Sequence, residues 1–117
     1  MQYVCLVYHE DAAWDAMSQE ERKALDHDSL TYDQELEAKG HMVLAHALRS
    51  ETESKIVRRR SRKKLVTDGP FTESKEQLVG FIVIEAKDME EATEIGSNIP
   101  LARTGTIVVR PTLDFSS

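Results

Sequence analysis

"LVGFIVIEA", residues 78–86, is the most apolar run of the chain, and its alternation decides the fold. In an extended strand Leu78, Ile82 and Ile84 point to one face, and Val79, Phe81 and Val83 to the other. A strand apolar on both faces belongs inside a sheet that is covered on both sides. The opening run "QYVCLVYH", residues 2–9, has the same character, with Val4, Leu6 and Tyr8 opposing Tyr3, Cys5 and Val7. Its β-branched and aromatic content reads as a second strand.

Outward from these two runs the other elements follow. "SQEE", residues 18–21, has the form of a capping box, and Gly40 is a stop signal, so a helix is expected from about Ser18 to Lys39. Its apolar stripe is thin: Leu25, Tyr32 and Leu36. "MVLAHAL", residues 42–48, is a strand. Residues 54–67, "SKIVRRRSRKKLVT", form a hairpin turning near Ser61-Arg62. Asp88 and Glu91 repeat the capping pattern. Ala92, Ile95 and Ile99 then make one helical face, with Pro100 ending it. "TIVVR", residues 106–110, is the last strand.

The expected class is therefore α+β. The order β-α-β-β-α-β, with the hairpin inserted, is the ferredoxin-like split βαβ pattern. Two helices cover only one face of its four-stranded sheet. The simplest cover for the other face is the same face of a second copy, which predicts a homodimer of sheets.

A chain of 117 residues makes one domain, residues 1–117, and shows no internal repeat. At this length roughly two-thirds of the unfolded surface can be buried without a disulfide or metal staple. The single Cys5 lies in an apolar strand and reads as a small buried hydrophobe, which fits a reducing, cytoplasmic setting. No secretory leader and no run of membrane-spanning length is visible. The net charge of −6 argues against general nucleic-acid binding.

Ahead of residues 78–86 stands "DGPFTESKEQL", residues 68–78. With it the chain closely resembles the DGPF proteins of the YCII-related superfamily. Asp68 to Phe71, Glu73, Lys75, Glu76, Gln77, Leu78, Gly80 and Phe81 match the family stretch; Thr72, Ser74 and Val79 depart from it. "YVCLVYHED", "LAHAL", "IEAKDMEEATEIGSNIP" and "ARTGTIVVRP" resemble the family's flanking segments. The resemblance implies a dimeric α+β barrel and no established reaction. It also implies a link with extracytoplasmic-function sigma factors, beside or fused to which relatives occur. More distant YCII proteins suggest a His-Asp pair on the first helix. His27-Asp28 is present here, but its spacing to Gly40 departs from that pattern and the role is not carried over.

Two readings of the signature stay open. In one it lines a pocket for a small polar or anionic ligand: Asp68 accepts, Phe71 stacks, and Lys75 and Glu76 orient. In the other Asp68-Gly69-Pro70 merely turns the chain, Phe71 plugs the sheet edge and Lys75 pairs with Glu76. His9, followed by Glu10 and Asp11, is a candidate general base at a strand end. His46 alternates with Leu44 and Leu48 and is a second candidate; Asp68 is the third. Each histidine can equally be a hydrogen-bonded core or interface residue. Arg103 suits a carboxylate or phosphate, or a pairing with Asp68 or Glu76. His27 is expected to be solvated and His41 to suit a helix end. The four histidines and one cysteine form no metal-binding spacing, and no phosphate loop is present, so no metal and no cofactor is expected. Seven of the ten residues 55–64 are basic. They read as a solvated edge hairpin whose charges block aggregation, or as a docking arm for an acidic partner.

Overall fold

The computed structural model describes residues 1–71 and 74–114. Two positions of the signature, Thr72 and Glu73, and the tail residues Phe115, Ser116 and Ser117 lie outside the described residues. The strands are β1 (Gln2–Glu10), β2 (Met42–Ala47), β3 (Lys55–Arg60), β4 (Lys63–Asp68), β5 (Glu76–Glu85) and β6 (Thr106–Pro111). The α-helices are α1 (Asp11–Asp15), α2 (Gln19–Ala38) and α3 (Met89–Ser97), with 3-10 turns at Glu51–Glu53 and Pro100–Arg103.

Four strands form one sheet in the order β2-β5-β1-β6, every neighbouring pair antiparallel. This α+β topology is compatible with the ferredoxin-like arrangement expected. The two-faced runs occupy its centre, as their composition requires. On the helix side, Cys5 and Ile84 are fully buried among Tyr3, Val7, Ile82 and Ala86. Leu36 and Tyr32 of α2 and Ala92 and Ile95 of α3 cover them, together with Ile99, and Leu25 of α2 is buried as well. The Tyr32 hydroxyl donates to the Ile95 carbonyl at 2.7 Å and ties the two helices together.

Local signals explain the helix ends. Ser18 Oγ accepts from the Glu21 amide at 3.1 Å, and the Glu21 carboxylate accepts from the Ser18 amide at 3.2 Å, a complete capping box. Asp88 accepts from the Glu91 amide at 2.9 Å. α3 ends at Ser97, so Ile99 lies beyond it, and Pro100 instead opens a 3-10 turn.

In the strands the structure corrects the sequence reading at two further places. First, the register of β1 on β5 shifts between Val7 and Tyr8: Val7 pairs with Gly80, but Tyr8 pairs with Leu78. Val79 is the extra residue of this bulge, which breaks the expected alternation of Leu78 with Ile82 and Ile84. The bulge also carries Gln77 beside His9. Second, the basic hairpin is not an edge of the main sheet. β3 and β4 form a separate two-stranded sheet and pack chiefly on each other. All their residues but Ile56 are exposed. The radius of gyration is 16.3 Å, against about 13 Å for a compact domain of this length. Its turn takes positive φ at both central residues, Ser61 (50°) and Arg62 (66°), the geometry of a two-residue hairpin loop. Among the described residues no helix is long and apolar enough to cross a membrane.

The face of the main sheet away from the helices carries Val4, Leu6, Tyr8, Phe81, Val83 and Leu44, all half-buried or exposed.

Candidate functional site

The last residue but one of β1 is His9, the one buried polar side chain among the described residues, 3% exposed. The ring is held at both nitrogens. Nδ1 lies 3.1 Å from the Glu10 carbonyl, and Nε2 lies 2.7 Å from Thr104 Oγ. A carbonyl only accepts, so Nδ1 donates, and in the neutral ring Nε2 accepts from the Thr104 hydroxyl. Thr104 is 95 positions away in sequence; it arrives here because Thr106 pairs with Tyr8 on β6. Gly105 permits the approach: a Cβ there would meet the Tyr8 carbonyl and lie 2.9 Å from His9 Cδ2.

Immediately after β1 the chain turns into α1, whose Trp14 meets His9 edge to face at 6.4 Å. Arg22 of α2 fixes that ring. Its guanidinium sits 5.5 Å from the ring centre, and Nε and Nη2 donate to the carbonyls of Trp14 and Asp15 at 3.1 and 3.2 Å.

Beside His9 and Trp14 opens a cleft of about 370 Å³. Leu48, Leu78, Val79 and Leu101 make its apolar wall, and Gln77 of the signature stretch reaches it. Its charged lining is Asp11, Asp26, Glu51 and Arg49. Arg49 is already engaged: Nε and Nη2 meet the two oxygens of Glu53 at 3.0 and 2.9 Å. The remaining charged groups are carboxylates. Such a site can hold a small molecule with hydrogen-bond donors or a positive charge against the carboxylates, its apolar part against the leucines.

The other residues singled out in the sequence lie elsewhere in the single chain. Asp68 ends β4 and pairs with Lys55 at the base of the ribbon. Phe71, 64% exposed, has the Arg58 guanidinium 5.4 Å from its ring centre and does not plug the sheet edge. Lys75 is exposed, and Glu76 accepts from the Thr106 hydroxyl at 3.0 Å rather than pairing with Lys75. Arg103 pairs with neither Asp68 nor Glu76 but with Asp28, at 2.8 Å. His46 is exposed on the open sheet face, 5.9 Å from the Phe81 ring. His27 is exposed as expected, and His41 Nδ1 lies 2.8 Å from the Glu85 carbonyl. Of the candidates, His9 alone lines the cleft. Trp14 and Thr104 were missed; the one signal for Trp14 is that it is the only tryptophan of the chain. Among the described residues no three His, Cys, Asp or Glu side chains converge to hold a metal ion.

Burial shapes the ionisation of the core next to the site. It pushes the Cys5 thiol up to about 11. Tyr32 rises to about 12 through burial, with Glu35, Cys5 and Glu94 adding repulsion. Asp33 is raised by burial and then by the neighbouring Glu37.

The model of the YCII-related domain matches residues 1–116. The chain belongs to the YCII-related family. An uncharacterized protein of Rhizobium meliloti (strain 1021) is 30% identical to it over 113 residues, covering 95% of this chain and 91% of that one. The family match takes in β1 with His9, the cleft and β6 with Thr104 alike, so the whole site lies inside the shared domain.

Proposed function

We propose that this YCII-related protein, a member of the DGPF group, binds a small polar molecule bearing an amine or another cationic donor in the cleft at the end of β1. The observation that carries the reading is the doubly held, buried His9 at a cleft whose uncommitted charges are Asp11, Asp26 and Glu51. Of the polar and anionic ligands expected from the sequence, the carboxylate lining favours the cationic class. His9 is then the group placed to take a proton from a bound ligand, if Thr104 yields its hydrogen bond.

Trp14 supplies the test, because it lines the cleft and is the only tryptophan. Titration with 1,4-diaminobutane should change its fluorescence saturably, and succinate should not. Asp26→Asn combined with Glu51→Gln should weaken the amine about tenfold. A response to succinate alone refutes the charge assignment. A flat response to both probes moves the reading to the regulatory, non-enzymatic module linked to sigma factors that the DGPF resemblance also implies.

A second observation favours the homodimer through sheet faces. Val4, Leu6, Tyr8, Phe81 and Val83 make one face of the sheet apolar, and among the described residues of a single chain they are only half-buried. Light scattering at micromolar concentration should return twice the chain mass.

A further inference from the structure

The β3–β4 ribbon is poorly served by its own chain. Its strands pair Arg59 with Lys64 and Arg60 with Lys63, like charges directly opposite each other. Its turn places two non-glycine residues in the left-handed region. Val57 and Val66 face each other as a pair, 65% and 49% exposed, and Leu65 is 47% exposed on the other face. A two-stranded ribbon without a packing surface is marginal in water. This one is apolar near its base and basic near its tip; among the described residues its ion pair, Lys55 with Asp68, lies within the ribbon itself, and Arg58 rests near Phe71 just beyond it.

The counter-surface is present in the sequence itself. Residues 55–64 carry seven basic residues and no acidic one, which leaves eight basic residues to set against all 21 acidic ones in the rest of the chain, a net of −13. Arm and body are therefore strongly complementary in charge, while within one chain the arm's residues other than Ile56 are exposed and its strands pack chiefly on each other.

We propose that the ribbon is an arm that docks on a second copy of this chain, its Val57–Val66 pair against apolar surface and its arginines and lysines against that copy's carboxylates. Two-fold symmetry makes the contact reciprocal, each chain giving an arm and receiving one. A nucleic-acid backbone is the weaker occupant. The body that would come with the arm carries −13, and no aromatic residue stands in residues 55–64 to stack on a base. The arm contact adds to the sheet-face dimer proposed above and is read separately from it.

The test uses the full chain with Leu65 replaced by the photoreactive amino acid benzoylphenylalanine, mixed equally from ¹⁴N- and ¹⁵N-labelled preparations. Mass spectrometry then distinguishes cross-links between chains from those within one. Light scattering at about 0.1 and about 1 M salt runs alongside, as does the variant Arg58→Glu/Arg60→Glu, with circular dichroism to check its fold. The expected result is mixed-isotope cross-links from position 65 to body peptides. These links should be lost in the charge-reversed variant, and association should weaken about tenfold or more at high salt. A species of dimer mass without mixed-isotope cross-links overturns the arm and leaves the sheet pairing standing. A monomer overturns both. Cross-links displaced by a DNA oligonucleotide that the chain binds more tightly than itself assign the arm to a polyanion and overturn the proposal.

Discussion

Replacing Thr104 by Val removes one hydroxyl and leaves the shape of the side chain. His9 is only 3% exposed, and Thr104 is the partner of its Nε2. Water has little access to take the hydroxyl's place, so a buried acceptor is left without a donor. That penalty is about 1–3 kcal/mol. Thr104 itself is exposed, so the extra methyl offsets little. The unfolding entropy of a chain this long is about 0.25 kcal/mol per kelvin, which turns the penalty into a fall in Tm of about 4–12 °C. Thr104→Ser keeps the hydroxyl and should stay within about 0.5 kcal/mol of the parent. Calorimetry or circular dichroism on the three proteins at one pH measures both numbers. If Thr104→Val melts with the parent and with Thr104→Ser, Nε2 is satisfied in some other way, and the picture of His9 as a ring fixed from both sides is wrong.

Alkaline titration probes the core. Cys5 and Tyr32 have folded values near 11 and 12, above their ordinary 9.0 and 10.0. Their contribution is therefore complete below pH 9 and is lost as pH rises through those values; Cys5→Ala should flatten the part of the decline between 9 and 11 in urea unfolding, and an unchanged slope would count against burial of the thiol. Gly105→Ala should overpack the junction of Tyr8 and His9, lowering stability by about 1–3 kcal/mol and shifting Trp14 emission; a neutral result would mean that β6 sits further from β1. Ser61→Asn with Arg62→Gly should relieve about 1–2 kcal/mol per residue of turn strain, seen as slower hydrogen exchange in residues 55–68 with little change in global Tm, and unchanged exchange would remove the strained turn.

Those perturbations divide along the same line as the legibility of the sequence. Periodicity found the elements with regular interiors. The two-faced alternation of β1 and β5 places both in the centre of the sheet, and Ser18 with Glu21, and Asp88 with Glu91, form the caps their spacing implied. What escaped was short or irregular. α1 has five residues and no side-chain cap on its first turn, so nothing in Asp11–Asp15 distinguishes it from a loop. The bulge at Val79 leaves no mark in a run that is apolar at every position but Gly80 up to Ile84.

The site was legible only in part because convergence is a property of topology. His9 could be singled out as a strand-end imidazole, but its partner is chosen by the pairing of the first strand with the last. Tyr8 opposite Thr106 leaves Thr104 two residues beyond the strand, beside the ring. The signature stretch shows the converse. Asp68, Phe71, Lys75 and Glu76 are neighbours in sequence, yet they fall at the base of the ribbon and the start of β5, while the described residues of the stretch that line the cleft are its last two, Gln77 and Leu78. Sequence proximity therefore overstated their cooperation within one chain. If the arm docks on a second copy, the base of the ribbon comes to lie near that copy, and Asp68 and Phe71 can meet a surface their own chain does not offer. The dependence of any cleft ligand on an intact arm would measure this. Arg58→Glu/Arg60→Glu should leave Trp14's response to 1,4-diaminobutane unchanged if the cleft is complete in one chain, and weaken it if the second copy closes the site.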